Sequence, residues 1–145
     1  MVIQRWQSVW LLIAGILVIV FCCLPMAAVQ TDVPDAAVSS VTLLRPVDVP
    51  VFMVVNILVA VLLFISIFLY RNMKRQKTAT LVAMLLTALM MLTEIYILYS
   101  WNRDGVEVEW FGSIFLLLGA LAFAFLAYKG ISSDERLLKA ADRLR

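Results

Sequence analysis

Four long apolar stretches, separated by short polar segments, dominate the pattern of this chain. They cover residues 6–28, 50–70, 79–100 and 110–130. A bilayer core about 30 Å thick is crossed by roughly 20 apolar residues in a helix, and each stretch reaches that length. The pattern predicts an all-α membrane protein, a bundle of four transmembrane helices that forms a single integral membrane domain over residues 1–145.

The composition agrees with a membrane environment. Hydrophobic residues make up 64% of the chain, charged residues 15%, and the mean hydropathy is +1.00. The chain has no His, the commonest general base and metal ligand, and it contains neither a Gly-rich phosphate loop nor a Ser/His/Asp set. We therefore expect a protein that is not an enzyme and that uses no cofactor and no metal.

The first apolar stretch has to be distinguished from a cleavable signal peptide, because it follows Arg5 near the start of the chain. Its apolar region is longer than the roughly 7 to 15 residues of a signal, and no small-x-small cleavage site follows it in PMAAVQ. We therefore expect the stretch to be retained. Cys22 and Cys23 are adjacent within it, which fits small buried apolar side chains better than metal ligands or a disulfide framework.

Basic residues are distributed unequally between the connecting segments. Ten of the twelve lie before the first stretch, in the loop RNMKRQK, or at the end of the fourth stretch and beyond it, whereas Arg45 and Arg103 lie in the other two segments. Because basic residues concentrate on the cytoplasmic side, both termini are predicted to be cytoplasmic. Aromatic residues at the ends of the stretches are typical of interfacial anchors, with Trp6, Tyr70 and Tyr128 on the inner side and Tyr99, Trp101 and Trp110 on the outer side.

The connecting segments carry weaker signals of local structure. On the outer side, VSSVTLL (38–44) and VEVEW (106–110) either pair as two short strands or belong to irregular loops. On the inner side, residues 131–145 are predicted to form a short amphipathic helix on the membrane surface, with its basic residues near anionic lipid headgroups.

Two side-chain patterns are expected within this last segment. Ser132 and Glu135 have the spacing of a capping box at the start of the helix. The acidic residues have the helical spacing of salt-bridge partners for Lys139 and Arg143. These acidic residues are Asp134, Glu135 and Asp142.

Three segments of the chain resemble one family. MVIQRWQSVWLLIAGIL, LYRNMKRQ and AYKGISSDERLLKAADRLR are similar to a family of small four-span bacterial membrane proteins of unknown function, found mainly in Bacteroidetes. The resemblance covers essentially the whole chain, and IQR and DERLLKAADRLR are its most specific parts, although Val2 departs from the family's start. It implies a four-span fold in the bacterial inner membrane, and no activity or catalytic residues.

One carboxylic acid, Glu94, lies inside the third stretch, about 9 Å below its outer end at Ser100. Asn56 lies at about the same depth in the second stretch, so we predict a hydrogen bond between the two side chains. Thr87 shares a helix face with Glu94 at seven-residue spacing. Glu94, Asn56 and Thr87 form the candidate buried polar site.

Seven-residue spacing also organises the other faces. If the spacing is not due to chance, small and polar residues face inward in a compact left-handed bundle. The residues concerned are Thr80, Thr87 and Glu94; Ser8, Gly15 and Cys22; Gly112 and Gly119; and, at small-xxx-small spacing, Ala120 and Ala124.

Two interpretations of Glu94 lead to two functions. The acid either binds a proton or cation on a transport path, or is a packing residue that is hydrogen-bonded while neutral or reaches toward Arg103 or Arg45 at the outer interface. With no second acid and no His in any stretch, and a Lys only at the inner end of the fourth stretch (Lys129), we expect a structural or interaction (accessory) protein. A small transporter or channel is the alternative. The expected partners are the lipid bilayer and either another membrane protein or a homo-oligomer, but no nucleic acid.

Overall fold

The computed structural model contains four long helices and a small sheet, and is mostly helical. It describes residues 2–31, 40–103, 108–110 and 112–143, with side chains for 6–30, 41–103, 108–110 and 112–141. Short 3-10 turns, Pro46–Asp48 and Leu69–Arg71, flank the second helix. The helices are α1 (Val2–Cys23), α2 (Pro50–Phe68), α3 (Met73–Arg103) and α4 (Ile114–Arg143), and the strands are β1 (Ala27–Thr31), β2 (Ser40–Leu44) and β3 (Val108–Trp110).

The helices form an antiparallel ring in chain order. Each helix packs against its neighbours in sequence, and α1 packs against α4 to close the ring. The buried residues of α1 recur at alternating four- and three-residue spacing, which is typical of helices that pack at a shallow angle. These residues are Gln7, Leu11, Ala14, Val18 and Phe21.

Small residues allow the helices to approach closely. A Cβ atom at Gly15 of α1 would lie 3.4 Å from the Phe64 ring of α2, so the ring packs directly on the α1 backbone. Ala120 and Ala124 of α4 are buried, whereas Gly112 and Gly119 are half-buried. The small-residue face predicted for α4 therefore faces inward mainly through its alanines.

The third helix buries several polar side chains on its inward face and exposes large apolar side chains on its outward face. Its buried face includes Thr80, Thr87 and Glu94, as the seven-residue spacing predicted, and continues to Gln76. Leu81, Leu85, Leu89 and Leu92 lie on the exposed side of the same helix. A helix on the surface of a water-soluble protein has the opposite arrangement. All four helices are long and apolar enough to cross a membrane.

The first and fourth predicted stretches end at different residues from the helices. Helix α1 stops at Cys23 rather than at residue 28, because Pro25 lacks the N–H that a helix requires and Ala27 already belongs to β1. Helix α4 begins at Ile114 rather than at residue 110, because residues 108–110 form β3. Length and hydropathy identified these helices but not their outer ends.

A three-stranded antiparallel sheet connects the helices at one end of the bundle, called here the sheet end. The strand order is β2-β1-β3, and Val29 of β1 pairs with Thr42 of β2 on one side and Val108 of β3 on the other. VSSVTLL and VEVEW both contribute strands, as one interpretation predicted, but they do not pair with each other. The strand between them, β1, is not predicted from the sequence. It covers the end of the first predicted stretch and the start of the loop that follows.

The prediction of a separate amphipathic helix after residue 130 is wrong. Helix α4 continues without interruption to Arg143, and Ile131 is buried in the bundle. Ser132 and Glu135 form no capping box, because they lie inside the continuous helix and not at its start. Both side chains instead contact Lys77 of α3. At 30 residues, α4 is about 45 Å long and exceeds the thickness of a bilayer core.

Candidate functional site

Glu94 is the most deeply buried ionisable side chain among the described residues, with 1% of its surface exposed. Its Oε1 accepts a hydrogen bond of 2.8 Å from Ser113 Oγ, which connects α3 to the start of α4. Its Oε2 is buried and has no hydrogen-bond partner in the described part of the chain. Among the described residues, a donor is therefore present for only one of the two carboxyl oxygens.

Asn56 is buried as predicted, but its predicted hydrogen bond to Glu94 does not form. Asn56 Nδ2 instead donates a 3.0 Å bond to the backbone carbonyl of Val18, which connects α2 to α1. The predicted bond was based on equal depth in the two stretches, but depth does not determine the direction in which a helix presents a side chain. The Asn56 amide lies on the side of α2 that contacts α1.

Thr87 is buried on the face of Glu94, but it belongs to a separate hydrogen bond. Its hydroxyl donates to the carbonyl of Ala83 at 2.8 Å, and Thr80 donates to Gln76 in the same way at 2.9 Å. Both hydroxyl donors are thus used within α3, as is common for Thr in helices. Of the candidate trio, only Glu94 makes a side-chain link to α4.

Ser113 is the functional-site residue that the sequence reasoning missed. It follows Gly112, whose φ of 71° lies in the left-handed region that favours glycine. This turn starts α4, since Phe115 N–H donates to Gly112 O and Leu116 N–H donates to Ser113 O. One feature of the sequence could have identified Ser113 as a partner of Glu94. Ser113 lies near the outer end of the fourth stretch, and Glu94 lies near the outer end of the third.

A second polar cluster joins α3 to α4 at the opposite end of the bundle, called here the basic end. Lys77 Nζ donates to Ser132 Oγ at 3.2 Å and to Glu135 Oε2 at 3.3 Å, and it lies 5.5 Å from the centre of the Tyr128 ring. Lys139 Nζ forms a 2.7 Å ion pair with Glu135 Oε1, which confirms one of the salt bridges expected in this segment.

Glu135 is held in its ionised form by these contacts. The apolar part of α4 ends at Gly130, so Glu135 lies beyond it. The hydrogen bond from Lys139, followed by that from Lys77, lowers the pKa of Glu135 below its ordinary value of 4.5. Both carboxyl oxygens are therefore used in contacts within the chain.

Asp134 joins α4 to α1 at the basic end. Its Oδ2 accepts a 2.6 Å hydrogen bond from Gln7 Nε2, not the ion pair with a basic residue of its own helix that helical spacing predicted. A Cβ atom at Gly130 would lie 2.9 Å from Gln7 Cγ, so the glycine makes room for this side chain. The ion pairs expected for Asp142 and for Arg143 involve side chains that lie outside the described ones.

The prediction that both cysteines are buried is wrong. Cys22 is half-buried, Cys23 is exposed, and both are free thiols. Within the described ranges, no group of three His, Cys, Asp or Glu side chains could hold a metal ion.

The fold and these clusters define a four-helix protein with an apolar exterior, a polar link between helices at each end and a small sheet covering one end. The chain belongs to the family described as Domain of unknown function (DUF4293), whose model matches residues 3–144. The expected membership of a family of unknown function is therefore confirmed. Comparisons with curated proteins and with solved structures gave no match.

We predict that Ser113→Ala destabilises the protein, because it leaves both oxygens of the buried Glu94 carboxyl without a donor. The expected loss is about 1–3 kcal/mol of unfolding free energy, measured by unfolding in mixed micelles. Ser100→Ala is the matched control, since the Ser100 hydroxyl donates only to Ile97 O of its own helix. Equal losses for the two variants would contradict a special role for the Ser113–Glu94 bond.

We predict that the stability difference between wild type and Glu135→Gln depends on pH. The lowered pKa means that the contribution of Glu135 is fully present above pH 4.5 and is lost as pH falls through the folded-state value. The variant should therefore unfold at a lower temperature at pH 7, and the difference should shrink below pH 4.5. Glu109→Gln, which replaces an exposed acid at the sheet end, is the matched control for the substitution itself.

Proposed function

We propose that this protein is a multi-pass integral protein of the bacterial inner (cytoplasmic) membrane with a structural or interaction role and no enzymatic activity. The observation that carries the proposal is the inverted polarity of the bundle. Polar side chains such as Asn56, Thr87 and Glu94 are buried, whereas large apolar side chains face outward on every helix.

The outer surface supports insertion into a bilayer. Ile16 of α1, Val54 of α2, Leu85 of α3 and Phe115 of α4 are 47%, 63%, 63% and 71% exposed. Water-soluble proteins rarely expose contiguous apolar surface on this scale. In hydrocarbon such a surface carries no penalty, and the helices satisfy their own backbone hydrogen bonds as a bilayer requires.

The charge distribution supports cytoplasmic termini. The turn after α2 carries exposed Arg71, and the start of α3 carries exposed Lys74 and Arg75, at the basic end, where α4 also ends. The sheet end carries Arg45 and Arg103 together with the acids Asp48 and Glu109. Because cytoplasmic segments of membrane proteins are enriched in Lys and Arg, this unequal distribution favours the basic end as the cytoplasmic side.

The polar contacts support a structural or interaction role. Asn56, Ser113, Gln7 and Lys77 each form a hydrogen bond that joins two helices. These groups serve to hold the bundle together and leave few donors for a substrate. The partners we propose are the lipid bilayer and either another membrane protein or a further copy of this chain.

The alternative function is that of a small transporter or channel in which Glu94 binds a proton or cation. The observation that favours it is Glu94 Oε2, a buried carboxyl oxygen with no partner in the described residues. Ionisable groups at such depth often mark ion pathways.

We predict the topology from a labelling experiment with single cysteines. In a background with Cys22 and Cys23 replaced by alanine, Thr42→Cys at the sheet end should react in intact cells with a membrane-impermeant maleimide. Ser133→Cys at the basic end should react only after permeabilisation. Both positions are exposed. The reverse pattern, or equal labelling of both positions, would refute the proposed orientation.

We predict that the two functions separate in paired measurements on the same preparation. An interaction protein should retain a reproducible protein partner, or a second copy, after crosslinking and gentle solubilisation, and this should be unaffected by Glu94→Gln. A transporter should produce ion or solute flux in proteoliposomes that Glu94→Gln abolishes. A lone monomer with Glu94-dependent flux would overturn the interaction role in favour of transport.

A further inference from the structure

Acidic and basic side chains face different directions at the basic end. Asp134 is turned toward Gln7 of α1, and Glu135 is turned toward Lys77 of α3 while also pairing with Lys139. The two described carboxylates of this end are therefore engaged within the chain. Among the described cations, Glu135 pairs with Lys77 and Lys139, and neither carboxylate forms an ion pair with another exposed cation of this end.

Five cations at the same end are exposed and unpaired. None of their side chains forms an ion pair or hydrogen bond with another described residue. They come from three elements: the turn after α2, the start of α3 and the C-terminal half of α4. These cations, called here the outer cations, are Arg71, Lys74, Arg75, Lys129 and Arg136.

The outer cations continue the apolar surface of the helices. On α4, Phe115, Ala122, Lys129 and Arg136 are all exposed and follow one another at seven-residue spacing, so one outward stripe changes from apolar to basic.

The same change occurs on α3. Arg75, Val82, Leu89 and Tyr96 form an exposed stripe at the same spacing, with the cation at the basic end. Trp6 and Tyr70, which are 56% and 55% exposed, mark the membrane boundary at this level.

We propose that the outer cations form a docking surface for the phosphate groups of anionic phospholipids in the cytoplasmic leaflet. This inference rests on the membrane insertion proposed above. A lipid fits better than free phosphate because each stripe offers apolar side chains for an acyl chain directly beside cations for its headgroup. Long basic side chains near helix ends reach the headgroup level in this way.

The test compares lipid binding to the full-length chain and to a variant that replaces all five outer cations by Gln. The purified proteins in neutral detergent are titrated with phosphatidylglycerol or phosphatidylcholine, and bound lipids are counted by native mass spectrometry. Each Lys or Arg near an anionic surface contributes roughly a fivefold preference. The wild type should prefer phosphatidylglycerol, and the variant should lose at least about tenfold of that preference.

The matched control replaces Arg45 and Arg103, exposed cations of the sheet end, by Gln and should keep the wild-type preference. Raised salt should weaken the preference of the unaltered protein, which tests the inference without any substitution. An unchanged preference in the five-site variant would overturn the inference. So would full competition by free glycerol phosphate at equal concentration, since headgroup chemistry alone would then suffice.

The labelling experiment separates this inference from the proposed function. A chain that labels as predicted but shows no preference for phosphatidylglycerol refutes the docking surface and leaves membrane insertion intact. A chain that labels with the opposite orientation refutes both, because the outer cations would then face the other leaflet.

Discussion

Each polar side chain that this bundle buries must find its partner inside the bundle, because the outward surface of all four helices is apolar. The links that meet this constraint lie at the two ends. Asn56 reaches Val18 O and Ser113 reaches Glu94 at the sheet end, whereas Gln7 reaches Asp134 and Lys77 reaches Glu135 at the basic end. The region between them packs mainly through apolar and small residues, and the buried Thr80 and Thr87 hydroxyls there are bonded within α3 and not to another helix.

The sequence predicted those features that depend on neighbouring residues of one segment. Length and hydropathy located four helices, and seven-residue spacing placed Thr80, Thr87 and Glu94 on the buried face of α3. The hydrogen-bond partners of buried side chains were harder to predict from the sequence. Depth in the membrane is only one of the coordinates that decide which groups a side chain can reach. Asn56 and Glu94 share a depth, yet the rotation of α2 directs the amide to Val18 O and the position of Gly112 brings Ser113 to the acid.

The larger errors of the sequence-based predictions, the missed strand β1 and the predicted capping box, concern segments whose contacts are with distant parts of the chain. AAVQT has little strand character by itself, and it becomes β1 because β2 and β3 pair with it on both sides. Ser132 and Glu135 have the spacing of a capping box, but Lys77, 55 residues before Ser132, takes both side chains as partners. In each case a partner far away in sequence determined the structure that local spacing left undecided.

Glu94 is the buried side chain whose hydrogen-bonding groups are not all paired within the described part of the bundle. Its Oε2 is the one buried side-chain nitrogen or oxygen without a hydrogen-bond partner among the described residues. A glutamine at this position would offer Ser113 the same acceptor oxygen and would carry no ionisable group. Helix packing therefore accounts for an acceptor at residue 94 but not for an acid. Since buried polar groups without partners are rare and occur preferentially at functional sites, the unsatisfied oxygen is the strongest argument for the transport alternative, against an interior otherwise used to join helices.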